Sequence, residues 1–140
     1  MNSRRLSTLS TLVLLVLLPV GLHGQMTPDP GFAIDVPFSF VAGDRILPAG
    51  HYTVSHVMNS NWIRVVSDDG LALATLQIVE SKPPRGQNLT TGLIFHQYGD
   101  KYFLAQVLTS RDNQVHDCFK SREERTLARN LTATQVALQR

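Results

Sequence analysis

The stretch FAIDVPFSFV (Phe32–Val41) decides the fold class. Phe32, Ile34, Val36, Phe38 and Phe40 share one parity, while Asp35, Pro37 and Ser39 share the other. A strand points successive side chains to opposite faces, so this run predicts one strand with a buried and a solvated face. Pro37 has no amide proton to give a ladder, which places it at a sheet edge or a bulge.

Further short runs follow at close spacing. In LPAGHYTVSHV, Pro48 suits the second position of a turn over Leu47–Gly50, with Gly50 at positive φ and a strand from His51. Tyr52, Val54, His56 and Met58 form the more apolar set, so Tyr52, Val54 and Met58 are assigned to the core. His51 then faces solvent, and His56 is either buried with a hydrogen bond or near the sheet end. The two imidazoles lie on opposite faces. Asn61–Ser67 and Leu71–Glu80 read as strands around Asp69-Gly70, a two-residue type I′ signal. Ser81–Asn88 is rich in Pro and Gly and reads as a loop. Thr91–Tyr98 and Lys101–Leu108 flank Gly99-Asp100, which suits a type II′ hairpin, and Val115–Phe119 forms a last short run. About seven strands at this spacing predict a small antiparallel β-sandwich or barrel.

The two ends differ from this middle. Arg4 and Arg5 precede a Leu-rich run broken by Pro19 and Gly21, the pattern of a signal peptide cut near Gly24/Gln25. The expected organisation is a leader over 1–24, a flexible lead-in over 25–31, a β domain over 32–119 and a helix with tail over 120–140. Without Arg4 and Arg5, basic and acidic residues are equal in number, which argues against nucleic acid as a partner. No membrane span is expected after cleavage. At the other end, Ser121 and Glu124 form a capping box, and Leu127, Leu131 and Leu138 fall on one helical face opposite Arg122, Arg125 and Arg129. A helix over about Arg122–Ala133, frayed afterwards, is the expectation.

VPFSFVAGDRILPAGHYTV (Val36–Val54), LIFHQYGDKYFLAQV (Leu93–Val107) and KSREERTLA (Lys120–Ala128) together resemble a family of small exported bacterial all-β proteins. Its members combine an LPAG-x-Y-x-V segment, a YGD-x-YFL hairpin and a charged C-terminal helix. The resemblance implies a signal-plus-β layout and a place in the periplasm or outside the cell. It carries no activity, so no site residue transfers.

Chemistry is sparsely signalled. His51, His56, His96 and His116 show none of the spacings of known metal sites, so no metal or other cofactor is expected. His116 and Cys118 share a strand face, yet no third group orients them, and Cys118 reads as a small buried hydrophobe. The single cysteine excludes an internal disulfide framework. Asp68, Asp69 and Asp100 have turn chemistry as their explanation. The arginines of the C-terminal segment read as a solvated face. These observations point to an exported binding or structural component without catalytic residues, its partner a protein or a small apolar molecule. The alternative is a small-ligand carrier whose barrel interior is lined by Trp62, Phe95, Tyr98, Tyr102 and Phe103. A hydrolase with a site assembled in space ranks third.

Overall fold

The computed structural model describes residues 30–140. The leader assigned to 1–24, and the lead-in up to residue 29, lie outside the described residues. Among those described, ten strands and one short helix form: β1 (Phe32–Val36), β2 (Phe40–Ala42), β3 (Arg45–Leu47), β4 (Gly50–Val57), β5 (Trp62–Ser67), β6 (Leu73–Ser81), β7 (Gly92–Tyr98), β8 (Lys101–Thr109), β9 (Gln114–Cys118), α1 (Arg122–Leu127) and β10 (Thr134–Gln139). The protein is all-β with a C-terminal helix.

The strands belong to one mixed sheet. Its path runs β1–β4–β5–β6–β9–β8, and β8 also carries β2 with β3 and β7 with β10. Every pairing is antiparallel except the short contact of Val41 with Phe103. The pivot is β6: Leu73–Gln77 pair with β5, whereas Ile78–Ser81 pair with β9. The sheet thereby folds back on itself around a single core. Phe40 from one half meets Tyr52 from the other edge-on, with ring centroids 5.3 Å apart. Ile34, Val36, Leu47, Val54, Ile63, Leu76, Ile78 and Phe95 fill the space between them.

A closed barrel is not formed, and Pro37 is part of the reason. The alternating run at Phe32–Val41 is two strands, not one. It breaks at Pro37–Ser39, after which β2 joins β3 and β8 instead of continuing along β4. The parity survives the break, since Phe32, Ile34, Val36 and Phe40 are all buried. The count of strands rises from seven to ten because Pro37 divides one run and because β3 and β10 add two more.

Several local expectations are corrected. Gly50 does not take positive φ; it opens β4 opposite Val36, and a Cβ there would meet only Tyr52 Cε2, at 3.7 Å. The turn is held instead by Tyr52, whose hydroxyl donates to the Pro48 carbonyl at 2.5 Å. Met58 lies past the end of β4 and is exposed. In the β5–β6 connection only Gly70 has positive φ, so the type I′ turn, which needs two such residues, is replaced by a wider loop. There Ser67 and the Leu71 amide bond the Asp69 carboxylate. The hydrogen bond from Ser67, then that from Leu71, hold this carboxyl below its ordinary range. The Gly99-Asp100 hairpin agrees with the type II′ reading: Tyr98 pairs with Lys101, and of the two turn residues Gly99 alone has positive φ.

The C-terminal helix ends at Leu127, six residues after Ser121. Asn130, Thr132 and Thr134 are poor helix formers, and the chain turns at Arg129–Asn130, whose amides bond the Thr126 and Leu127 carbonyls. The tail then forms β10 along β7. Val136 and Leu138 alternate with exposed neighbours and pack on the core. Their spacing is that of a strand, and Leu127, Leu131 and Leu138 do not share a helical face.

Gly92 marks how tightly β10 docks. A Cβ built there would stand 2.2 Å from the Leu138 carbonyl oxygen, a backbone atom that cannot swing aside. Gly92→Ala is expected to push β10 off β7, costing about 1–3 kcal/mol in the manner of overpacked sites, whereas Gly50→Ala is expected to be nearly neutral. Thermal unfolding, with amide exchange at Val136 and Leu138, checks both. An unaltered β10 in Gly92→Ala would contradict this packing.

Candidate functional site: a polar cleft at the open end of the sheet

Where the two halves of the sheet diverge, a cleft of about 300 Å³ remains. Parity explains its lining. On β6, Ala74, Leu76 and Ile78 point inward and are buried, so Glu80, two residues on, points the same way at the strand's end. On β4, Tyr52 and Val54 are buried, and His56 continues their row. His116 of β9 is paired with Glu80 on one side and Val107 on the other, and is itself buried. The apolar part of the lining is Phe32, Val54, Ile63 and Val107; the polar part includes His56, Glu80, Thr109 and His116.

The polar groups meet closely. The His56 and His116 rings are stacked, with centroids 5.7 Å apart and planes inclined by 30°. His56 Nε2 is buried without a hydrogen-bond partner, and Glu80 Oε1 stands 3.9 Å from it, beyond hydrogen-bonding reach. A buried nitrogen left in this state costs about 1–3 kcal/mol. Thr109 donates its hydroxyl proton to Asp112, and its oxygen lies 3.4 Å from His116 Nε2. An activated hydroxyl nucleophile needs the imidazole to take the hydroxyl proton and the carboxylate to orient the imidazole. Here the hydroxyl instead donates its hydrogen bond to the Asp112 carboxylate. Among the described residues, no group of three or more His, Cys, Asp or Glu is arranged to hold a metal ion.

The aromatic residues assigned to a ligand-holding interior do not come together. Phe95 and Tyr102 lie in the main core around Phe38, at centroid distances of 5.1 and 3.9 Å. Tyr98 and Phe103 pack against each other at 5.8 Å, on the opposite face of β7 and β8. Trp62 stands apart on the outside of β5, 43% exposed.

That opposite face is closed by α1. Half of the capping box is kept, because Ser121 Oγ accepts from the Glu124 amide at 3.0 Å. The carboxylate does not return to the cap; it is buried and meets His96 Nδ1 at 2.7 Å. Burial first, and then the charge and hydrogen bond of Glu124, hold the Tyr98 phenol above its ordinary pKa. His51 is in a different situation. It is exposed on β4, with Nδ1 2.5 Å from Asp35 and Nε2 3.8 Å from Asp68. The hydrogen bond to Asp35 raises its pKa, burial opposes this, and the charges of Asp35 and Asp68 add to the rise. Cys118 packs at the edge of the main core, and burial, with Asp117 and Glu124 contributing, pushes its thiol up to about 12.

Two expectations follow. His96→Ala leaves a buried carboxylate without its ion-pair partner and should cost about 3 kcal/mol, while His51→Ala at the exposed pair should have little effect; paired thermal melts read the difference. With its thiol held this high, Cys118 is almost entirely un-ionised in the native protein at pH 8, so a thiol reagent should label the protein only as it unfolds. Since the folded state holds this proton more tightly, the stability linked to it is complete below the ordinary thiol value of 9.0 and is lost as pH rises towards 12. Cys118→Ser should flatten that alkaline decline.

No family model, no curated protein and no solved structure matches this chain.

Proposed function

We propose that the protein is an exported binding domain without catalysis, and that its ligand site is the polar-lined cleft at the open end of the sheet. Export rests on the basic and Leu-rich leader of the sequence. The binding role rests on one observation above others: His56 Nε2 is buried at the cleft with no hydrogen-bond partner. Buried polar groups are normally paired, and a partner supplied by a ligand accounts for this one. The remaining lining defines the ligand's character. A volume near 300 Å³ is at the small end of ligand pockets. Apolar residues beside two imidazoles, Glu80, Asp112, Arg111 and Arg140 suit a small molecule with an apolar body and one polar or charged end. This keeps the carrier idea and moves its site away from the aromatic residues. No helix among the described residues is long and apolar enough to cross a membrane.

A second reading, acid–base hydrolysis in the same cleft, draws on the stacked imidazoles and Glu80. It requires turnover of chromogenic esters or glycosides that His116→Ala abolishes.

The test of the binding reading uses the opposing signs of one substitution. His56→Leu removes the orphaned nitrogen and should raise the stability of the ligand-free protein by about 1 kcal/mol. The same change should weaken binding of an amphiphilic probe such as anilinonaphthalene sulfonate, followed by its fluorescence. A variant that is destabilised and still binds the probe normally would count against the cleft as the site.

A further inference from the structure

The outer face of the fold carries a second surface, independent of the cleft. Trp62 of β5 is the register partner of Gln77 on β6, and the Phe119 amide bonds the Gln77 carbonyl at 3.1 Å from the other side. Paired residues project to the same face of a sheet. Trp62 and Phe119 are therefore two ring platforms on one face, 43% and 55% exposed, with the Gln77 side chain between them. Two strand spacings, about 10 Å, separate the backbones that carry them. Both rings line a shallow groove whose far wall is Lys120, Arg122 and Arg125, with Asp44 as its acidic member.

The wall keeps a net positive charge for a structural reason. The two acids of α1 are engaged elsewhere: Glu123 pairs with Lys101, and Glu124 is buried against His96. Among the described residues, Lys120, Arg122 and Arg125 have no ion pair. The groove thus offers two flat apolar platforms, an amide between them and three free cations along one side.

We propose that this groove binds an extended carboxylated polysaccharide, with sugar faces stacked on Trp62 and Phe119 and carboxylates met by Lys120, Arg122 and Arg125. The spacing of the two positions on the sheet supports a sugar chain. About 10 Å is close to the span of two sugar units in an extended chain, and it far exceeds the step of about 3.4 Å between stacked bases. An acidic peptide is disfavoured by the floor, where the backbone of β5, β6 and Phe119 is already paired and no edge is open for strand addition. Trp and Arg are also the side chains that most often dominate binding energy at a surface.

Trp62 is the chain's only tryptophan, so its fluorescence reports on the groove directly. The experiment titrates the full protein with a hexameric uronate oligosaccharide, a neutral cello-oligosaccharide, polyglutamate and oligothymidylate. The uronate oligomer should change the fluorescence and bind at least about tenfold more tightly than the other three, and added salt should weaken it. Trp62→Ala, followed by calorimetry, and Arg122→Ala with Arg125→Ala should each reduce affinity by about tenfold, in the range of surface hot spots. Both sites are exposed, and circular dichroism verifies that the variants fold. His56→Leu should leave the affinity unchanged. Polyglutamate or oligothymidylate binding as tightly as the uronate would overturn the proposal. So would absence of uronate binding, or binding that Trp62→Ala does not alter.

Discussion

One strand belongs to both halves of the sheet, and the rest of the structure depends on it. Over nine residues β6 passes its hydrogen bonds from β5 to β9. Its side chains keep a period of two through the change. Ala74, Leu76 and Ile78 go to the core and Glu80 to the cleft, while Thr75, Gln77 and Val79 go to the outside. The handover brings β1, β4 and β5 face to face with the region built from β9, β8, β7, β10, β2 and β3, which buries Phe40 against Tyr52 at one end and leaves the other end open. Both candidate surfaces are consequences of this geometry. The cleft holds inward residues of β4, β6 and β9 at the open end, and the outer groove holds residues that β5 and β6 turn to solvent, with Phe119 just past the end of β9.

The C-terminal segment completes the fold by a polar contact and a steric one. Glu124 is carried under α1 into a pocket made by His96 and Tyr98, where the pairing with His96 offsets the cost of burying a carboxylate. Beyond the helix, β10 lies so close to β7 that only glycine fits at position 92. Together these contacts cover one flank of the β7–β8 hairpin and fix the basic residues of α1 beside Phe119. The helix is too short to stand alone, so its position is set by Glu124 and by the strands on either side of it.

Much of the sheet was legible because period-two alternation is a local property. The runs at Trp62–Ser67, Leu73–Ser81, Gly92–Tyr98 and Lys101–Thr109 all appear within two residues of their expected bounds. Pro37 was read correctly as a disruption, although it ends the strand where a bulge or an edge was expected. The type I′ turn failed because Asp69 bonds Ser67 and Leu71 in a wider loop, a preference of side chains that the Asp-Gly pair does not reveal. β10 was missed because Leu127, Leu131 and Leu138 mimic a helical stripe once Asn130 is read as part of the helix. The aromatic interior contained an error visible in the sequence itself: Tyr102 and Phe103 are consecutive in a strand and cannot line one cavity. The cleft was the reverse case. A place near a sheet end is one of the two readings that the sequence leaves open for His56, but its meeting with Glu80 and His116 comes from three strands distant in sequence, and no local pattern encodes that.

The continuity of β6 is tested most directly by its solvent pattern, residue by residue. Single cysteines placed at positions 75 to 80 in a Cys118→Ser background, each labelled with a thiol reagent under native conditions, read out which way each side chain points. The account predicts fast labelling at 75, 77 and 79, protection at 76 and 78, and at 80 an intermediate rate that falls when the cleft is occupied. A phase reversal between 77 and 78, where the pairing passes from β5 to β9, would contradict it, because Glu80 would then face outward and the cleft would lose its carboxylate.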